Sequence, residues 1–492
     1  MTIYQMLSRN ARKFDDQVAL SDDQRELSWQ QLHERAEQLA HWLRHEYGVQ
    51  PGDRVALVLP NSLEFVIGFF AVQRLEAIAV PINVRLTTAE LEYIIADAQA
   101  TMVITAAATD AAISPIIEAG LPGLWLDRWD ADTVPDAPQL PEMEATETSA
   151  ALILYTSGTT GRPKGVLFQH RAIHAVATMI AMEMKMTPES KLLHLMPFTH
   201  SAPLNLFLMA GTLVGASHVV APTFTPQLLL NLVQKHRITH FFGAPVAYLL
   251  TAQDPAIADT DLSSVTHWIY GGAAMSTEHT QQVQKAFGSD QFYCVYGLTE
   301  AGPSGTLLLP DEHGEKAGSV GRRAAFGTEV RLRTEEGYAP VINEPGEVEI
   351  SSDGMMQCYW RNPQATTDTF TADGWLKTGD IAVRDEEGFY WIKDRKKDII
   401  ISGGVNIYPR EIEDALATHP QVAEAAVVGV PHDQWGETVK AFVVLREPMA
   451  DMADELRRYL SERLADYKLP RLFAELDELP RNANGKVLKH EL

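Results

Sequence analysis

Apolar positions in the first hundred residues alternate between a helical and a strand-like rhythm. Ser28 precedes Leu32, Ala36, Leu39, Ala40 and Leu43, a spacing that predicts a capped amphipathic helix ended by Gly48. Residues 54–59 read as a short apolar strand, 65–75 as a helix and 78–81 as a second strand. Thr87 and Glu90 have capping-box spacing ahead of Leu91, Ile94 and Ile95, and 102–105 reads as another strand. Alternation of this kind implies an α/β fold, with a mostly parallel sheet covered by helices on both faces.

The rhythm fades over residues 107–149, which read as peripheral structure, and returns as far as about Gly288. From 318 to 391, short strands punctuated by Glu336-Gly337 and Glu387-Gly388 predict a small antiparallel β subdomain. The charge burst from Lys393 to Asp398 predicts a boundary near Asp394, which separates a domain of residues 1–394 from one of residues 395–492. The second has its own α+β pattern: helices at 409–418 and 455–464, strands at 423–430 and 439–445. Residues 192–234 contain no Asp, Glu, Lys or Arg. Prolines at 197, 203, 222 and 226, with His194, His200 and Asn205, argue against a membrane span and for buried core and pocket wall.

At 492 residues and 46% hydrophobic, the chain has ample core for more than one domain. No basic region followed by an apolar segment opens it, so no signal peptide is expected. Two cysteines, Cys294 and Cys358, cannot build a disulfide framework or a cysteine-rich metal site, and a cytoplasmic setting is expected. The net charge of −24 argues against nucleic acid as a partner. An anionic ligand would need positive charge gathered locally.

Such a gathering starts at Tyr155-Thr-Ser-Gly-Thr-Thr-Gly-Arg-Pro-Lys-Gly165, between the apolar run 150–154 and a helical pattern containing His170 and Ile173. Glycines let backbone N–H groups curl toward an anion, hydroxyls add donors, and Lys164 adds a point charge. The reading is a phosphate cradle; the plain alternative is a flexible surface loop. The common P-loop is excluded, because Lys164 follows Pro163 and precedes Gly165. In Tyr296-Gly-Leu-Thr-Glu300 an aromatic face suits a purine, a hydroxyl a phosphate and a carboxylate Mg2+. Alone, it could equally be a buried tyrosine before a helix start. Asp380 can accept ribose hydroxyls and Arg395 can add donors; their ordinary reading is a turn aspartate and a solvated basic run. Lys486, after Gly485, would alone be a surface lysine.

Together, and over essentially the whole chain, these motifs resemble the adenylate-forming superfamily: acyl-CoA synthetases, peptide-synthetase adenylation domains and luciferases. The resemblance implies a large N-terminal domain of two α/β subdomains and a small distorted β-barrel, followed by a small mobile α+β domain. It implies that Thr156, Ser157, Gly158, Thr159, Thr160, Gly161 and Lys164 hold ATP with Gly272, Ala273, Ala274, Tyr296, Gly297, Thr299, Asp380 and Arg395. Tyr296 would stack on adenine, Thr299 would meet the α-phosphate, Glu300 would bind Mg2+, and Lys486 would be the catalytic lysine. His200 would gate the acid, with a satisfied core histidine as the alternative. Phe242, Gly243, Gly271 and Gly272 would line the acyl pocket, Gly403 and Gly404 the CoA channel, and Lys397 would be the hinge. Cys358 and Glu76 depart from the family pattern.

The implied activity is an AMP-forming acid–CoA ligase that uses ATP, Mg2+ and CoA. No aspartate lies in 192–234 to pair a substrate ammonium, and Val295 stands where malonate-type ligases resembling this chain carry an arginine. Burying a second substrate charge without a partner costs roughly several kcal/mol, so an apolar monocarboxylic acid is favoured. A medium- or long-chain fatty acid is the first reading. Aryl acids, o-succinylbenzoate and transfer to a carrier protein are alternatives, and luciferase-like oxidation and a non-catalytic binding protein are rival classes. Partners are small molecules, without nucleic acid or an integral membrane segment. Quaternary state stays open, a homodimer included.

Overall fold

The computed structural model describes residues 1–130, 138–156, 162–334, 337, 342–481 and 487–492. Its contacts divide the chain into two units, Met1–Val330 with Glu349–Lys377 and Arg331–Val348 with Thr378–Leu492.

The first unit contains two sheets. In a seven-stranded one, Gly123–Trp125, Ala100–Thr105, Arg54–Val58, Ile78–Pro81 and Ala150–Thr156 lie side by side and parallel. Lys164–Gln169 and Cys358–Tyr359 extend it antiparallel. The expected helices form for the expected reasons. Ser28 caps Trp29–Glu46 by accepting from the Gln31 N–H, while the Gln31 side chain accepts the Ser28 N–H. That helix stops at Tyr47, and Gly48 takes the left-handed φ of 68° that releases the chain. Thr87 and Glu90 form the same reciprocal box for Thr88–Ala98. Leu91, Ile94 and Ile95 then pack on Val80, Val103 and Ile153 of the strands. The quiet stretch after residue 107 contains a further helix, Asp110–Glu118. Only Ile113 and Ile116 of it are buried and Pro115 lies inside it, so its periodic signal is weak.

In the nine-stranded sheet, Val18–Ser21, Ser217–Val220, Lys191–His194, His240–Gly243, His267–Gly271 and Phe292–Val295 run parallel in that spatial order. Thr306–Leu308 and Arg323–Ala324 close one edge antiparallel, and Glu26–Ser28 the other. The uncharged stretch is core, as expected: Leu204, Leu206, Phe207 and Leu208 are buried within a π-helical segment, Ala202–Leu208. Widened turns of this kind recur at functional sites.

Leu376–Arg384, which from Thr378 on belongs to the second unit, pairs antiparallel with Tyr390–Arg395. A five-stranded sheet is built on the hairpin Val422–His432 and Gly436–Leu445. Helices Pro409–Ala417 and Met452–Ser461 cover it, burying Ile412, Leu416, Leu456 and Leu460 against Val427 and Val443. Among the described residues no helix is long and apolar enough to cross a membrane.

Candidate active site

The cradle is held by a hairpin. Thr156 pairs with Lys164 and Tyr155 with Gly165, so the chain leaves on one strand and returns on its neighbour. The helical pattern expected at His170 and Ile173 is the helix His170–Glu183, and one strand, Lys164–Gln169, lies between it and the cradle. Val166, Leu167 and Phe168 are three successive apolar residues, all buried, and a strand sandwiched between layers buries both of its faces. Ser157, Gly158, Thr159, Thr160 and Gly161 lie outside the described residues. The base of the hairpin is clamped from the side: Tyr155 Oη donates to Asp97 at 2.6 Å, and Tyr93 Oη to the Pro163 carbonyl at 3.2 Å.

Three neighbouring parallel strands end together at Gly243, Gly271 and Val295, the edge of an α/β sheet where ligands bind. A Cβ on Gly271 would sit 2.8 Å from the Val295 carbonyl oxygen, so only glycine fits there. Phe242 is buried beside it; Gly272 and Ala273 are exposed just past the strand end, Ala274 less so, and Gly272 has a φ of 83°. The chain after Val295 folds back on itself. Tyr296 N–H donates to the Thr306 carbonyl at 2.9 Å, and a Cβ on Gly297 would lie 2.2 Å from the Pro303 carbonyl oxygen. A single 3-10 turn, Thr299–Ala301, then presents Glu300.

Glu300 Oε1 accepts a 2.7 Å hydrogen bond from Tyr359 Oη, and the Glu300 carbonyl accepts from Met356 N–H at 2.8 Å. The face of the same tyrosine lies 5.2 Å from Lys164 Nζ. Burial, and then the Glu300 charge, hold the phenol well above its usual range, so it stays a donor. Tyr359 thereby joins the cradle lysine to the carboxylate of the second motif. In the sequence Tyr359 stands only as part of the Tyr-Trp pair after Cys358, with no role attached; its role comes from register, because it pairs with Val166, two residues from Lys164 and on the same face.

His200 lies two residues before the π-helical segment, and burial alone lowers its pKa, which keeps it neutral. Thr199 Oγ1 next to it, and Asn205 Oδ1 within the π-helical segment, are buried without a hydrogen-bond partner among the described residues. Orphaned polar atoms of this kind are expected where a ligand completes the bonding. Burial pushes the Cys294 thiol up to about 12 and raises that of Cys358. Among the described residues no cluster of three or more His, Cys, Asp or Glu could cage a metal ion. Mg2+ with nucleotide phosphates needs only one or two carboxylates, and Glu300 is placed to offer one.

The remaining residues belong to the second unit. Asp380 and Arg395 are cross-strand partners with Arg395 Nε 2.7 Å from Asp380 Oδ1, so the proposed ribose pair is already assembled. Arg395 N–H donates to Asp394 Oδ1 at 2.7 Å, and Asp394 Oδ2 accepts from Arg410 N–H at 2.8 Å, in the first turn of helix Pro409–Ala417. Lys396 Nζ meets Glu347 Oε2 at 2.9 Å, immediately before Lys397. Gly403 and Gly404, with φ of 59° and 82°, make the exposed tip between Ile400–Ser402 and Val405–Ile407. Positive φ at both positions is what a two-residue hairpin turn demands. Lys486 lies outside the described residues.

Two family models match: AMP-binding enzyme over residues 7–360 and AMP-binding enzyme C-terminal domain over 411–486. The long-chain-fatty-acid–CoA ligase FadD13 of Mycobacterium tuberculosis is 37% identical, over 90% of this chain and 88% of that protein. Feruloyl-CoA synthase of Amycolatopsis is 35% identical, over 98% of this chain and 97% of its own length. Among solved structures, O-succinylbenzoate coenzyme A synthetase (MenE) of Bacillus subtilis, in complex with ATP and magnesium ion, superimposes with a TM-score of 0.90. It is 29% identical, with 99% of this chain and 98% of that chain covered.

Proposed function

The chain belongs to the AMP-binding enzyme family, and on that premise we propose that it is an acid–CoA ligase for medium- or long-chain fatty acids. In the first half-reaction a carboxylate oxygen attacks the α-phosphorus of ATP and the bond to pyrophosphate breaks, which leaves acyl-adenylate. In the second, the CoA sulfur, having lost its proton, attacks the acyl carbon and AMP leaves. Lys164 and the cradle hold the departing phosphates, Thr299 the α-phosphate, and Asp380 with Arg395 the ribose. Mg2+ on Glu300, when bound, neutralises phosphate charge. Lys486 stabilises the charge that develops at the α-phosphate.

The two half-reactions need different groups near the same bond, so the proposal includes a rotation between residues 1–394 and 395–492 about Lys397. That movement exchanges Lys486 for the Gly403–Gly404 tip. Lys396, immediately before Lys397, is paired with Glu347 inside the second unit. A cytoplasmic, small-molecule role fits this reading, and a homodimer remains compatible with it.

The observation that carries the choice of acid is the absence of charge in the stretch proposed to wall the acyl pocket. Residues 192–234 contain no charged Asp, Glu, Lys or Arg, and Val295 closes the strand beside Gly271. An aryl acid is the second reading, favoured by the 35% identity to feruloyl-CoA synthase and by the buried, unpartnered Thr199 and Asn205 oxygens, which suit a substrate hydroxyl. Pyrophosphate release across C2–C18, branched and aryl acids, with and without CoA, decides between them. Preference for feruloyl-type over C8–C16 acids overturns the fatty-acid assignment, and release that never leads to acyl-CoA overturns CoA as acceptor.

A further inference from the structure

The hydroxyl of Tyr359 and its ring face two different charged groups, Glu300 and Lys164. A lysine and a glutamate in one phosphate site would, left to themselves, gain by pairing, and each would then be withheld from its ligand. The buried phenol removes that option by occupying Glu300 Oε1 at 2.7 Å and receiving the ammonium on its ring at 5.2 Å. Its own position is fixed from three sides. It is in register with Val166, its N–H donates to Thr366 Oγ1 at 3.0 Å, and the next residue's N–H, of Trp360, donates to the Gly165 carbonyl at 2.7 Å.

We infer that Tyr359 is a positioning residue for the metal site: its hydroxyl fixes Glu300 so that the second carboxylate oxygen is presented to Mg2+. Its ring meanwhile keeps Lys164 on the phosphate side. The inference rests on the reading of Glu300 as the Mg2+ ligand. Hydrogen bonds to a ligating carboxylate set its orientation, and their loss typically costs 10- to 100-fold in metal affinity.

The test is Tyr359→Phe in the full-length enzyme, which keeps the ring under Lys164 and removes only the donor. Mn2+, a paramagnetic stand-in for Mg2+, is titrated against protein and ATP without acid, and the bound fraction is read by electron paramagnetic resonance. We expect Mn2+ to bind about tenfold more weakly to Tyr359→Phe. In turnover, the Mg2+ concentration for half-maximal pyrophosphate release should rise by a similar factor, while kcat at saturating Mg2+ falls much less. Tyr359→Leu, which loses the ring as well, should additionally raise the KM for ATP. A melt without metal or nucleotide confirms that each variant folds. Glu300→Gln separates the two layers of the argument. If it weakens Mn2+ binding but Tyr359→Phe stays within twofold of wild type, the positioning role is overturned and the ligand reading survives. If Glu300→Gln also binds as wild type does, the ligand reading fails and takes the inference with it.

Discussion

Replacing Asp380 by Asn tests the ribose assignment most directly, because the structure already sets the size of the effect. The carboxylate is buried, at 4% exposure, and is paired through Arg395 Nε at 2.7 Å. Arg395 itself is 41% exposed in its side chain, so water takes over most of the lost pairing. The folding cost should therefore stay near 1 kcal/mol. Binding is more sensitive. A hydroxyl donating to a carboxylate contributes about 1.5–3 kcal/mol, and each 1.4 kcal/mol is tenfold in affinity. Removing the charge should raise the KM for ATP about 10- to 100-fold. The decisive assay compares ATP with 2′,3′-dideoxy-ATP in acid-dependent pyrophosphate release. Wild type should discriminate by about 10-fold or more, and Asp380→Asn should lose most of that discrimination by handling both nucleotides poorly. A variant that still prefers ATP by the wild-type factor would show that the ribose hydroxyls are held elsewhere.

Lys486→Ala should lower acyl-adenylate formation by roughly 10²–10³ yet leave thioester formation from supplied acyl-adenylate intact; equal losses in both half-reactions would refute the division of roles. Gly302→Ala should destabilise the fold by about 2 kcal/mol or more, because φ is 90° and the added Cβ would lie 2.1 Å from the Gly354 carbonyl oxygen. Thermal melting checks this, and pyrophosphate release should fall with it because Glu300 is two residues away. Buried histidines should make the protein acid-sensitive. Burial lowers His218 to about 3 and His170 to about 4, and burial followed by the neighbouring His240 lowers His267 to about 3. Unfolded histidine titrates near 6.5, so this stability is complete above that pH and declines below it as the unfolded chain takes up protons first. The loss should approach about 1.4 kcal/mol per pH unit per histidine until pH nears 3–4. Urea midpoints at pH 7, 6 and 5 that did not move would contradict it.

The sequence alone determined whatever depends on neighbours a few residues apart. The caps at Ser28 and Thr87, the stop at Gly48, the helix from Pro409 and the hairpin strands after residue 420 were legible because helix and strand periods repeat within one or two turns. The pairing of Asp380 with Arg395 was half legible: both residues stood out, but their opposition comes from a ladder with an irregularity between Ile381 and Ala382. Only tertiary structure could decide the rest. Lys164–Gln169 is a strand because its apolar residues find partners on both sides, at Ala150–Thr156 and at Cys358–Tyr359, and neither partner is visible in the segment itself. Asp110–Glu118 is a helix because the core of the sheet accepts Ile113 and Ile116, not because its pattern demands one. Tyr359 lies in the Tyr-Trp pair that follows Cys358, but the sequence assigned it no role. Its hydroxyl meets a carboxylate 59 residues away and its ring a lysine on an adjacent strand, so its importance lies in strand register, which the folded sheet settles and no local spacing encodes.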